Sequence, residues 1–256
     1  MYSKIYDFCK IKNLGTANRN GLEKTPRLLW ITKLLESNNI EYIIDEWGTE
    51  QNKFYNIILP GNSGKFVTAH HDIVNPAADN ANDNSASIIN AIMTKINSPS
   101  TTVILLDGEE IGGKGSQRAS DKINSGEYGN CDWVLNFELT GKGGTHFFIG
   151  NYENVLSEHI KGIFNCPVVQ TPFNDSVIFN NNGIISTVIN PLPTLDKDES
   201  MIKSFLRRTP EILSHDGTPL DFSIVYNCHS IKDSLDTIDP KDMKEFVEKV
   251  VMKILS

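Results

Sequence analysis

Apolar residues recur at two periods along this chain, and the two periods alternate. Over 23–39 the spacing is helical, with Leu28, Leu29, Ile31, Leu34 and Leu35 on one face. Short runs suited to strands follow at 42–45, 55–59 and 66–69. Helical spacing returns over 85–97, carried by Ser85, Ile88, Ile89, Ala91, Ile92 and Ile96. Thr102-Val103-Ile104-Leu105-Leu106 is a nearly unbroken β-branched and aliphatic run, the mark of a strand buried on both faces. A helix over 115–124 comes next, then a second central strand at 133–137 with another, 145–149, beside it. Helix (153–164), strand (Val168, Val169), short helix (175–180) and strand (184–189) continue the alternation. The last helix has the clearest start. Asp239 is its N-cap and Pro240 its first residue, and Met243, Phe246, Val247, Val250, Val251 and Ile254 form its buried face.

Strands alternating with helices predict an α/β fold, a mixed and mostly parallel central sheet flanked by helices. Such sheets bind ligands beyond the carboxyl ends of their strands. His70, Glu109, Glu110 and Glu138 all follow strand-like runs, so they can meet in one crevice although they are far apart in sequence.

A length of 256 residues fits one domain, 1–256. The net charge of -8 argues against nucleic acid and anionic membranes, which require a basic face. No stretch approaches the roughly 18 consecutive apolar residues of a membrane span. The first ten residues lack the apolar run of a secretion signal, so the expected location is the cytoplasm. Cys9, Cys131, Cys166 and Cys228 are scattered and read as buried free thiols.

The chemistry lies in five clusters. In an extended segment, His70 and Asp72 face the same side, so an imidazole can bind a metal while the carboxylate orients it. His71 points the other way and reads as structural. Asp83 stands in a polar turn before a helix, where it could cap that helix or bridge two cations; Asp79-Asn80 competes with it for either role. Glu109 and Glu110 end a buried strand, and adjacent carboxylates there repel unless a cation sits beside them. One can bind metal while the other moves a proton. Gly112, Gly113 and Gly115 then permit a tight turn. Glu138 ends the strand at 133–137, and His229 precedes an Asp-rich loop. His146, His159 and His215 have no carboxylate at useful spacing and read as structural or surface residues.

In this order the clusters resemble the co-catalytic zinc aminopeptidases of metallopeptidase family twenty-eight, clan MH. The motifs are His70-His71-Asp72, Asn82-Asp83-Asn84-Ser85-Ala86-Ser87, Glu109-Glu110-Ile111-Gly112-Gly113-Lys114-Gly115-Ser116, Asn136-Phe137-Glu138 and His229 with Asp233 to Asp239. They run from 70 to 239, and their context sets the register on Asp83 rather than Asp79.

The resemblance implies two zinc ions per chain, with cobalt or manganese as substitutes. Asp83 would bridge them, with Glu110 and His229 completing one site and His70 and Glu138 the other. Asp72 would support the ligands, and Glu109 would serve as general base to the hydroxide that cleaves N-terminal residues from peptides with a free amine. The Asp83-Asn84 peptide is usually cis in this family. Three features depart from its pattern: Glu138 stands where Asp is commoner, the loop between Asp72 and Asp83 is short, and Ile88 replaces the usual glycine after Ser87.

The deacylases and desuccinylases of the clan insert a lid domain, and no room for one exists between Glu138 and His229. A glutaminyl cyclase-like zinc acyltransferase is the alternative enzyme, and a binding module without catalysis is the other reading. Segments 190–198 and 207–221 are expected at the cleft rim, where Arg207 or Arg208 could meet an acidic group but more simply form a solvated pair. Tyr226 could serve an oxyanion, although a core position suits it better. Oligomeric state is not encoded in any recognisable pattern.

Overall fold

The computed structural model describes residues 1–11, 24–50, 52–74, 77–166, 168–199, 201, 212–214 and 216–256. Among the described residues eight strands form one sheet: β1 (Ile43–Thr49), β2 (Asn52–Leu59), β3 (Lys65–His70), β4 (Thr102–Leu106), β5 (Trp133–Phe137), β6 (Phe147–Gly150), β7 (Val168–Val169) and β8 (Ser186–Pro191). Their order is β1-β2-β4-β3-β5-β8-β6-β7. The four central strands, β4, β3, β5 and β8, run parallel. On one flank β1 and β2 pair antiparallel, and β2 runs antiparallel to β4. On the other, β6 runs antiparallel to β8 and parallel to β7.

The helices are α1 (Ile5–Cys9), α2 (Pro26–Ser37), α3 (Ala86–Asn97), α4 (Lys114–Asn124), α5 (Val155–Phe164), α6 (Asp175–Asn181) and a C-terminal helix. That last helix starts as α7 (Pro240–Glu245), passes through a π-helical stretch (Phe246–Val251) and ends as α8 (Met252–Leu255). Asp239 caps it by accepting from the Lys241 N–H at 2.8 Å. None of the described helices is long and apolar enough to cross a membrane.

Alternation along the strands divides the core. Ile57, Val67, Ala69, Val103, Leu105, Leu135 and Phe137 face α1, α2, α3, α5 and the C-terminal helix. Ile58, Phe66, Ile104, Leu106 and Val134 face α4 and α6 on the opposite side. A third cluster, with Phe148, Leu192 and Ile224, lies beyond the sheet's far flank. Because the central strands are parallel, β3, β4, β5 and β8 end on one edge. Registers Thr68↔Asn136 and Phe137↔Ile189 bring His70, Glu138 and Asn190 to that edge together.

Several expectations need correction. The strand at 147–150 does not lie beside β5; β8 takes that position, since its buried residues match β5 in parallel register, and β6 pairs with β8 instead. Leu29 is exposed, while Arg27 takes a place on the buried face of α2. Ile96 is also exposed, near the end of α3. Cys9 and Cys166 are buried free thiols, but Cys131 and Cys228 are only half-buried.

Phe246 couples the C-terminal helix to the sheet edge that carries Glu138. It is fully buried, and its ring meets Phe137 edge-on at 5.3 Å between centroids. Phe246→Ala is expected to cost about 3–5 kcal/mol. Urea unfolding measures it, and a loss below about 1 kcal/mol would contradict this packing role.

Candidate metal centre

His70 is the last residue of β3, and its imidazole is buried. Its Nε2 lies 3.2 Å from Asp83 Oδ1 and 3.4 Å from Glu138 Oε1. The other oxygen of Asp83, Oδ2, lies 3.4 Å from His229 Nε2, which is 3.0 Å from Glu110 Oε2. One carboxylate is thus shared by two imidazoles, each with its own glutamate. Two sets of donor atoms, His70–Asp83–Glu138 and Asp83–Glu110–His229, are each compact enough to hold a cation; a third, His70–Glu109–Glu110, places Glu109 beside them.

The surrounding backbone is hydrogen-bonded into position. Asp72 Oδ1 accepts from the Glu109 N–H at 3.2 Å and Oδ2 from the Glu110 N–H at 3.1 Å, while Oδ1 stands 3.4 Å from His70 Nδ1. The Asp83-Asn84 peptide is cis. Asn84 donates to the Phe137 carbonyl at 3.0 Å and accepts from the Leu139 N–H at 3.3 Å, bracketing Glu138. Asn190 donates to the carbonyl of Glu138 itself at 2.8 Å. Asp233 accepts from the Asn82 and Asp83 N–H groups at 2.8 and 3.1 Å. Asp79, the rival of Asp83 in sequence, instead accepts from the Leu235 N–H.

Two backbone features hold the turns. At Gly115 a Cβ would meet the Asp107 carbonyl oxygen at 2.5 Å, so only glycine lets α4 approach the end of β4. His229 adopts a left-handed φ of 61°, an uncommon state for a side chain of this size and one that clusters at functional sites.

The electrostatics of the crevice are set by burial and by the carboxylates and imidazoles facing one another. Burial pushes Glu109 up to about 10, opposed by His70 and reinforced by Asp175 and Glu138. Burial, with Asp83 adding, pushes Glu110 up to about 8. Burial alone would depress His70, but Glu138, Asp72 and Asp83 outweigh it and hold the imidazole well above its usual range. Burial would raise Asp83, but His229 and His70 hold it well below the usual carboxylate range. Glu110 Oε1 and Glu138 Oε2 are buried without hydrogen-bond partners. Unpartnered carboxylate oxygens beside imidazole nitrogens fit divalent cations, and this donor set suits zinc, cobalt or manganese.

The crevice opens into a cavity of about 590 Å³. Asp83, Glu109, Glu110, Glu138 and His229 line one part of it, and Phe148, Pro172, Phe173, Phe222, Val225 and Tyr226 are among the residues that line the rest. The expected rim needs correction. Of 190–198 only Asn190 reaches the cavity, and none of the described part of 207–221 does. Arg207, Arg208 and His215 lie outside the described residues. The walls come from Thr171-Pro172-Phe173-Asn174 and a 3-10 helix, Phe222–Asn227. Tyr226 is not a core residue: it is exposed and meets Phe222 edge-on, because its short helix packs only one side against the third core cluster.

Three other described histidines, His71, His146 and His159, have partners away from the crevice. His71 Nε2 contacts the Tyr55 carbonyl, His159 the Ile254 carbonyl, and His146 lies 3.4 Å from Asp216. Sequence reasoning missed Asp175. It is fully buried at the start of α6, and burial pushes it up to about 7 against the pull of His70 and of the Ser116 hydroxyl. Asn174 supplies the helix cap, so an Asn-Asp pair that looks like ordinary capping hides this carboxylate.

Parallel strands ending in a crevice of imidazoles and carboxylates describe a metallohydrolase type of site. The sequence profile of peptidase family M28 matches residues 58–254, and the chain belongs to that family. No curated protein sequence matches it. Among solved structures it is similar to the LapA aminopeptidase of Legionella pneumophila, at 14% identity over 99% of this chain and 70% of that one, TM-score 0.64. It is similar also to BSAP, a zinc aminopeptidase from Bacillus subtilis, at 17% identity over 81% of this chain and 50% of that one, TM-score 0.57. A glutaminyl cyclase from Fimbriiglobus ruber is similar at 15% identity over 99% and 92%, TM-score 0.66. At these identities the likeness shows a shared fold. The chain spans about half the length of BSAP.

A pH dependence follows for metal-free protein. Glu109 and Glu110 have folded pKa values above the unfolded value of about 4.3, so their stabilisation is full below that value and is lost as pH rises through about 8 to about 10. His229, raised to about 9 chiefly by Asp83 and next by Glu110 against its partial burial, acts in the same direction above its unfolded value of about 6.5. Asp83, held low, acts oppositely, but only in acid. Melting temperature without metal is therefore expected to fall from about pH 6 to about pH 9, and saturating zinc to raise and flatten the profile by displacing the protons. A metal-free profile that rises over this range, or one that zinc leaves unchanged, would contradict the assignment.

Proposed function

We propose that this chain is a dinuclear-metal aminopeptidase whose first subsite takes a bulky apolar residue. The observation that carries the reading is Asp83, shared between two imidazole–glutamate pairs at the inner end of an aromatic cavity. His70, Asp83 and Glu138 would hold one cation, and Asp83, Glu110 and His229 the other. Zinc held by these residues would supply Lewis acidity toward a peptide carbonyl and toward water.

The rest is done by side chains. Glu109 lies within reach of both donor sets, which suits a proton carrier. It takes a proton from the attacking water as the new C–O bond forms. It gives that proton to the amide nitrogen as the C–N bond breaks, and the product leaves as a free amine. Asp72 keeps Glu109 and Glu110 aligned through their N–H groups and faces His70 Nδ1. The acidic crevice attracts a substrate α-ammonium and holds it at the chain's first residue. Phe148, Phe173, Phe222 and Val225 then enclose that residue's side chain. The aminopeptidase names of LapA and BSAP support this reading.

One observation favours a second reading. The chain spans 92% of the Fimbriiglobus ruber glutaminyl cyclase, against 70% and 50% of the two aminopeptidases. Cyclisation would use the same acid–base carboxylate but expel ammonia from an N-terminal glutamine side chain instead of cleaving a peptide bond.

Leucyl and phenylalanyl amides are expected to be cleaved by zinc-loaded protein, aspartyl and lysyl amides poorly, and N-acetylated amides not at all. Glu109→Gln is expected to lower kcat by about 10²–10⁴-fold with metal content unchanged. Cleavage of acetylated substrates, or full activity in Glu109→Gln, would overturn the proposal. Ammonia release from glutaminyl peptides without cleavage would establish the second reading instead.

A further inference from the structure

Arg27 departs from two ordinary rules. It is 2% exposed, although an arginine is rarely buried without a carboxylate partner. It also occupies the second position of α2, where the helix dipole disfavours a cation. Departures of this kind concentrate at functional places.

Its contacts explain the placement. Nε donates to the His71 carbonyl at 2.7 Å, and Nη2 donates to Ser85 Oγ at 3.0 Å. Ser85 Oγ in turn donates to the Asn80 carbonyl at 2.6 Å. The Phe8 ring lies under the guanidinium, 3.9 Å away. His71 follows His70, and Ser85 is two residues past Asp83. One rigid fork therefore joins, through core contacts, the two segments that carry these side chains. Asp233 grips the Asp83 segment at the neighbouring Asn82 and Asp83 amides. Burial lowers Arg27 to about 10, so it stays charged at neutral pH, a fixed cation beside an acidic crevice.

We propose that Arg27 is a positioning residue of the metal centre, holding the His70 and Asp83 segments at the separation that shared cations require. It touches neither substrate nor metal. It comes from the N-terminal helices, outside the 58–254 stretch that the family profile matches, so α1 and α2 belong to the frame of the site. A lysine gathers its donors on one compact ammonium and lacks the planar fork that fixes the direction of both arginine hydrogen bonds.

The inference rests on the two-metal reading, and the experiment separates the two. Metal-stripped wild type, Arg27→Met and Arg27→Lys are titrated with zinc by calorimetry and with cobalt by visible absorption. Ile160→Ala, a core substitution in α5 that removes nothing from the crevice, is the stability control. Arg27→Met is expected to bind at least one zinc about 10–100-fold more weakly and to change the cobalt spectrum, with Arg27→Lys intermediate. The Ile160→Ala protein is expected to melt lower yet keep wild-type affinity and spectrum. If Arg27→Met does not fold, Arg27→Lys decides on the same two readouts. Wild-type affinity and spectrum in the arginine variants that fold would overturn the inference, as would an equal affinity loss in Ile160→Ala. Wild type that binds no metal would instead overturn the two-metal reading itself.

Discussion

The constraint on which the rest depends is repulsion among carboxylates. Asp72, Asp83, Glu109, Glu110, Glu138 and Asp175 converge on one crevice, and burial removes the water that would otherwise screen them. Without added positive charge, burial favours protons on the glutamates and their field favours protons on the imidazoles, while Asp72 and Asp83 stay ionised against those imidazoles. The raised glutamates and raised histidines express that state. Cations of the right number would replace those protons, so the same repulsion that threatens the fold becomes affinity for metal.

Such a cluster requires a stiff frame. The parallel registers of β3, β4, β5 and β8 set His70, Glu109, Glu110 and Glu138 along one edge. Neutral amides then fasten the turns between them: Asn84 on both sides of Glu138, Asn190 on its carbonyl. Charged groups do the remainder, with Asp72 beneath the two glutamates, Asp233 on the Asp83 turn and Arg27 joining the His71 and Ser85 segments. Most of these bonds go to backbone groups and none of them occupies Glu110, Glu138 or His229 side-chain atoms.

The elements that obey a clean period were legible in the sequence. Val103 to Leu106 shows a doubly buried strand, and Asp239-Pro240 marks a helix start within a residue. The candidate ligands were picked out by motifs in a defined order, and the structure brings His70, Asp83, Glu110, Glu138 and His229 close together. What was hidden depends on packing rather than pattern. Arg27 carries no apolar signal, yet it turns inward because His71 and Ser85 offer it acceptors, and Leu29, placed on the apolar face by its spacing, turns out. Phe173, Phe222 and Tyr226 sit in stretches without periodicity, so nothing local shows that they wall one cavity. The neighbour of β5 was misplaced because strand order follows from the whole topology.

The most direct test of the central claim is a crystal of zinc-reconstituted protein measured at the zinc absorption edge. Two anomalous peaks are expected, one on each side of the Asp83 carboxylate, the first near His70 and Glu138 and the second near Glu110 and His229. A single peak would contradict the two-metal account and favour one-zinc chemistry. No peak in the crevice would contradict the reading of this carboxylate cluster as a metal centre.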